Sequence, residues 1–135
     1  MTGILVVTHG NFGKILIESA EMIIGKQPNV KALGLMPGMD PLDFRKKIID
    51  ELKSLPKKTI ILSDLFGGTP SNVSASLSTE YDIECISGVN MVSLIEACTM
   101  RDILEGEKLL EDIINVGKDG FKDIKRELSI FENVI

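Results

Sequence analysis

The chain has 135 residues, a common size for one domain, and 44% of them are apolar, enough to fill a core. No apolar stretch approaches the roughly 20 residues that a membrane-crossing helix needs, and no basic region of a secretory signal precedes Ile4, so a cytoplasmic protein is expected. A net charge of −5 with 4% aromatics excludes the basic stripe of a nucleic-acid binder. Cys85 and Cys98 lack CxxC spacing and His9 is the sole histidine, so both thiols are expected to be buried, and neither a metal site nor a cofactor is expected.

In chain order, Ile4 to Val7 reads as a buried strand that ends at Thr8-His9-Gly10. Phe12, Ile15, Leu16, Ser19, Ala20, Met22 and Ile23 follow helical spacing up to Gly25. Val30 to Leu35 is a second strand. Pro37-Gly38-Met39-Asp40-Pro41 is a turn, with Asp40 placed to cap a helix whose first residue is Pro41. Leu42, Phe44, Ile48, Ile49, Leu52 and Leu55 form the apolar stripe of that helix, and Arg45-Lys46-Lys47 its solvated face. Thr59 to Leu62 is a third strand leading into Ser63 and Asp64, and Pro70 to Leu77 a helix rich in small residues. Ile83 to Ile86 is a fourth strand ending at Ser87-Gly88-Val89-Asn90. Helical segments fit Val92 to Cys98 and Leu104 to about Leu128, and the tail from Ile130 to Ile135 is apolar and too short to fold alone.

Strict alternation of strands and helices predicts an α/β domain over residues 1–135: a three-layer sandwich with a mainly parallel sheet of about four strands, flanked by helices on both faces. Ligands of such sheets bind beyond the carboxyl ends of the strands. His9, Asp64 and the Ser87–Asn90 loop all fall at such ends, and parallel strands put those ends on one edge.

A neutral imidazole is a nucleophile through one nitrogen when the other keeps its proton, and a carboxylate is well suited to hold that N–H. His9 and Asp64 are candidates for these two roles. The ordinary alternatives are a surface histidine and a loop or helix-capping acid. In Gly67-Gly68-Thr69-Pro70-Ser71-Asn72 the glycines permit a tight turn with bare N–H groups, Thr69 is placed as the N-cap, and the helix start with the Thr69 and Ser71 hydroxyls forms an anion-binding nest. Taken alone, a Gly-Gly turn is more often an ordinary strand-to-helix connection. No GxxxxGK[ST] or GxGxxG occurs, and no carboxylate cluster points to magnesium. The phosphoryl donor is therefore expected to carry an already labile group rather than to be a nucleotide bound here.

Thr8-His9-Gly10, Ala20-Glu21-Met22-Ile23-Ile24-Gly25, Met36-Pro37-Gly38, Asp64-Leu65-Phe66-Gly67-Gly68-Thr69-Pro70-Ser71-Asn72, Ser87-Gly88-Val89-Asn90-Met91 and Gly117-Lys118-Asp119-Gly120 stand in one order over roughly residues 2 to 125. In these pieces the chain resembles the IIA domain of the mannose family of the bacterial phosphoenolpyruvate-dependent sugar phosphotransferase system (mannose, fructose and sorbose type). The resemblance implies that His9 takes a phosphoryl group from the phosphohistidine of the carrier HPr. It implies that His9 passes the group to a histidine of a IIB component, which serves sugar uptake through membrane IIC and IID components. Asp64 then matches the acid that orients the imidazole, and Thr69 the hydroxyl beside the phosphoryl group. The family forms homodimers in which a C-terminal strand crosses to the partner, a role the apolar tail suits. Val92 departs from the proline frequent in the family after Asn-Met or Asn-Ile. Histidine phosphatases also place His-Gly after a first strand, but they need an arginine where Thr8 stands and a second histidine. A dihydroxyacetone kinase phosphocarrier subunit, with a different loop, and a regulatory IIA-like module are the other readings.

Overall fold

A computed structural model describes the backbone of residues 1–134 and the side chains of residues 1–129. The elements alternate as expected: β1 (Gly3–His9), α1 (Phe12–Ile24), β2 (Val30–Leu35), α2 (Pro41–Lys53), β3 (Thr59–Ser63), α3 (Thr69–Leu77), β4 (Ile83–Ser87), then α4 (Met91–Met100), α5 (Gly106–Asp119) and α6 (Ile124–Val134). The strands form one sheet in the order β2-β1-β3-β4, and every pairing is parallel. Parallel strands require crossover helices, and those helices cover both faces. β1 shows how the sequence does this. Its side chains alternate, so Ile4 and Val6 pack on one face with Leu16, Ala20, Leu94, Ala97, Leu109 and Ile113 of α1, α4 and α5. Leu5 and Val7 pack on the other face with Phe44, Ile48, Leu52 and Leu77 of α2 and α3. The result is the expected three-layer sandwich.

The chain runs from β1 out to β2 and then returns to place β3 on the other side of β1. The direction of winding therefore reverses between β1 and β3, so their carboxyl ends flank a crevice. β1 leads into this crevice with His9, and β3 with Asp64 one residue past its end.

Local structure departs from the sequence-based expectations in four places. The helix expected from Leu104 to about Leu128 is two helices, α5 and α6. It breaks at Gly120, whose N–H donates to the carbonyls of Gly117 and Lys118; apolar periodicity carries across such a break, whereas glycine's low helix propensity favours it. In the single chain the tail, expected to suit an exchanged strand, continues α6 as helix through Val134. Ile135, the end of that expected strand, lies outside the described residues. Gly68, not Thr69, is the N-cap of α3. Cys85 is exposed, since β4 is an edge strand whose outer residues are incompletely covered, and Cys98 is only half-buried. Among the described residues no helix is long and apolar enough to cross a membrane.

Candidate active site

β1 is buried from Gly3 through Thr8, and the chain surfaces at His9. Two contacts fix the turn that follows. The Gly10 N–H donates to the Leu35 carbonyl of β2 at 2.8 Å. The buried Thr8 Oγ1 accepts the Gly13 N–H of α1 at 2.9 Å. Thr8 thereby satisfies a first-turn donor that the N-cap residue Asn11 leaves free, since Asn11 makes no capping bond with its side chain. Gly10 has φ +57°, a left-handed conformation that favours glycine. A side chain on Gly34 of β2 would run into the Gly10 carbonyl, so the bare strand beneath is part of the seat of this turn. The Thr8 and Gly34 contacts were missed in the sequence, where nothing but the small size of Gly34 signals them.

Across the crevice, Asp64 reaches back to His9. Its Oδ2 accepts two hydrogen bonds: from the His9 backbone N–H at 3.0 Å and from ring Nδ1 at 2.8 Å. One carboxylate oxygen thus fixes both the main chain and the ring of a residue 55 positions away. Burial pushes the Asp64 carboxyl up, but the backbone and ring hydrogen bonds from His9 and its charge outweigh this and hold it below the usual range. An ionised carboxylate only accepts, so Nδ1 donates to it, and in the neutral ring Nε2 is then the nitrogen that carries the lone pair. The His9 side chain is 50% exposed while that of Asp64 is 15% exposed. Asp64 Oδ1 is buried and has no hydrogen-bond partner among the described residues.

Gly67, with φ +83°, turns the chain after β3. The Gly68 N–H donates to the Leu65 carbonyl at 3.3 Å and is thereby committed within the turn. α3 then opens with Thr69 and Pro70, and its first carbonyl-to-amide bond runs from Asn72 N–H to Gly68 O at 2.9 Å. Asn72 Nδ2 also donates to the Gly67 carbonyl at 3.2 Å, tying the diglycine turn to the helix. Thr69 and Ser71 are half-buried, and their backbone N–H groups belong to the first turn, which has no intrahelical acceptors. The turn lies beside His9, close enough that a side chain at Gly68 would meet the ring. The fourth strand end arrives as expected: the Val89 N–H donates to the Ser63 carbonyl at 2.9 Å. Asn90, however, is committed to structure. It forms a reciprocal cap with Ser93 on α4, and its Nδ2 donates to the Gly117 carbonyl of α5.

Among the described residues no group of three or more His, Cys, Asp or Glu side chains could hold a metal ion. Of the expected site residues, His9 and Asp64 meet directly, and Gly68 lies close enough that a side chain there would meet the ring; Gly67, Thr69 and Ser71 lie on the same turn and helix start.

The family model described as "PTS system fructose IIA component" matches residues 3–114. The chain is 30% identical over 125 residues to the "PTS system fructose-specific EIIA component" of Bacillus subtilis, covering 90% of this chain and 86% of that protein. It is also 30% identical to the "PTS system mannose-specific EIIAB component" of Escherichia coli, covering 90% of this chain but spanning only 39% of that longer protein. A crystal structure of phosphotransferase system component EIIA from Streptococcus agalactiae superposes with a TM-score of 0.87 at 35% identity, covering 93% of this chain and 99% of that one. With the site on the winding reversal of the sheet and the family model covering most of the chain, this protein belongs to the mannose–fructose family of IIA components of the sugar phosphotransferase system.

Proposed function

We propose that this chain, acting as one domain over residues 1–135, is a phosphocarrier in which His9 Nε2 takes a phosphoryl group from the phosphohistidine of HPr. It then hands the group to a histidine of a IIB component for sugar uptake through IIC and IID membrane proteins. The observation that carries this reading is the 2.8 Å bond from Nδ1 to Asp64, which leaves Nε2 as the open nitrogen of a half-exposed ring. In the transfer, the Nε2 lone pair forms a new N–P bond as the donor's N–P bond breaks. The leaving electron pair returns to the donor imidazole. His9 keeps its Nδ1 proton throughout, and Asp64 stabilises the positive charge that develops on the ring. Transfer between two imidazoles exchanges bonds of similar energy, so it is readily reversible. The domain's work is orientation and electrostatics. The free first-turn N–H groups of α3 at Thr69 and Ser71, their hydroxyls, and the Gly67 backbone supply donors for the phosphoryl oxygens. Function as a cytoplasmic homodimer belongs to the same reading.

The test is incubation with phosphoenolpyruvate, enzyme I and HPr, followed by mass spectrometry. An acid-labile adduct on His9 is expected, along with its disappearance on addition of a IIB component. An adduct that persists in His9→Ala would end the proposal.

A further inference from the structure

The two glycines of the turn are glycines for different reasons. Gly67 sits at φ +83°, where L side chains are strained. Gly68 sits at φ −79° and ψ 163°, extended backbone that any residue adopts. Its N–H donates to the Leu65 carbonyl, a bond that any residue except proline keeps. It caps α3, a position where Ser, Asp or Asn would be better than glycine. Neither conformation, nor hydrogen bonding, nor capping therefore calls for glycine at position 68.

The space around it does. A Cβ built on Gly68 would lie 3.0 Å from His9 Cε1 and 3.6 Å from His9 Nε2. Its third neighbour, the Leu65 carbonyl oxygen at 3.4 Å, is an ordinary contact. A carbon–carbon approach of 3.0 Å is well inside the optimum of about 3.5–4.0 Å. The imidazole has little freedom to give way, because Asp64 Oδ2 holds both its Nδ1 and its own backbone N–H. The added methyl would press on the Cε1–Nε2 edge, the edge that carries the free nitrogen.

We infer that Gly68 is a positioning residue: its missing side chain, not its amide, keeps the Nε2 edge of His9 clear and sets the ring for N–P bond formation. The inference rests on reading His9 as the phosphoryl acceptor. Substitution here separates two properties that normally move together. An added Cβ removes glycine's unfolded-state freedom, which offsets the cost of the close contact and keeps the fold, while it displaces the reacting ring.

The test uses Gly68→Ala and Gly68→Ser, the second restoring a good N-cap. Three quantities are measured: the melting temperature, the rate of His9 labelling by phospho-HPr resolved into kcat and KM, and the ring resonances of the sole histidine by NMR. Both variants are expected to stay folded and to melt within a few degrees of wild type, with kcat at least tenfold lower, KM for phospho-HPr little changed and the His9 ring resonances shifted. A kcat within twofold of wild type overturns the inference whether or not the resonances move. So does loss of folding in both variants, since glycine would then be kept for the backbone. If wild type itself takes no phosphoryl group, the proposed function fails instead. The ring resonances then decide the positioning claim: shifted supports it, unmoved overturns it.

Discussion

The two edges of the sheet handle charge in opposite ways. At the carboxyl edge, Asp64 and His9 meet at the surface, with the ring half exposed and one carboxylate oxygen lacking a partner among the described residues. At the amino edge, Arg101 at the end of α4 is only 3% exposed. Its guanidinium donates to the carbonyls of Thr2, Pro28 and Asn29 and to Gln27 Oε1, tying the chain start and the α1–β2 loop to α4. It also lines a cavity of about 620 Å³ with Thr59, Asp82 and Leu109, far from His9 along the strands. One edge leaves polar capacity open and the other uses it up. A charge that is to react must stay accessible and short of partners, whereas a buried charge is tolerated only when its donors are occupied.

The comparison breaks most sharply if changes at one edge behave like changes at the other. His9→Ala is expected to abolish labelling by phospho-HPr while shifting stability by about 1 kcal/mol or less, as surface substitutions do; parallel mass spectrometry and urea melts check this. Arg101→Met is expected to do the reverse. It strands several loop carbonyls and costs about 2–4 kcal/mol, read as a lower urea midpoint, while the folded fraction still labels on His9. Loss of labelling in fully folded Arg101→Met would erase the distinction between the edges.

Asp64→Asn sharpens the carboxyl edge. It keeps an acceptor for Nδ1 but removes the charge that stabilises the phosphorylated ring. Rapid-quench labelling should slow on the order of 10²-fold, with circular dichroism unchanged. The pH dependence has a definite sign. The Asp64 carboxyl is held low in the folded state, so its contribution is present above the unfolded carboxylate range and is lost as pH falls through the folded value. Acid melts of Asp64→Asn should lack that loss.

The smallest effect lies at neither edge. On the α4–α5 seam, a hydrogen bond that the protonated Glu96 carboxyl gives Asp112, burial and the Asp112 charge raise Glu96 from 4.5 to about 7; with Glu96 ionised, Asp112 Oδ2 is buried without a donor among the described residues. A raised acid favours the fold while protonated, so this contribution is full below about 4.5 and fades as pH rises through about 7. Glu96→Gln presents an N–H donor at every pH. Its melting temperature should change less between pH 5 and 8 than that of wild type. An unchanged pH profile would remove Glu96 from the seam.

Neighbouring residues alone set the periodicity of each strand and helix, which is why β2 was legible to its ends at Val30 and Leu35 and the Asp40–Pro41 helix start to the residue. The same local signal placed His9 and Asp64 at strand tips, because a buried run ends where the chain must surface. Only the assembled sheet decided the rest. The break between α5 and α6 at Gly120 and Gly68 as cap depend on how each turn closes. That Asp64 Oδ2 meets both His9 donors, that the space beside Gly68 is filled by the ring, and that Arg101 finds carbonyls more than 70 residues away are long-range arrangements. They form only after chain closure brings distant backbones together, and no pattern of adjacent residues encodes which atoms will then touch.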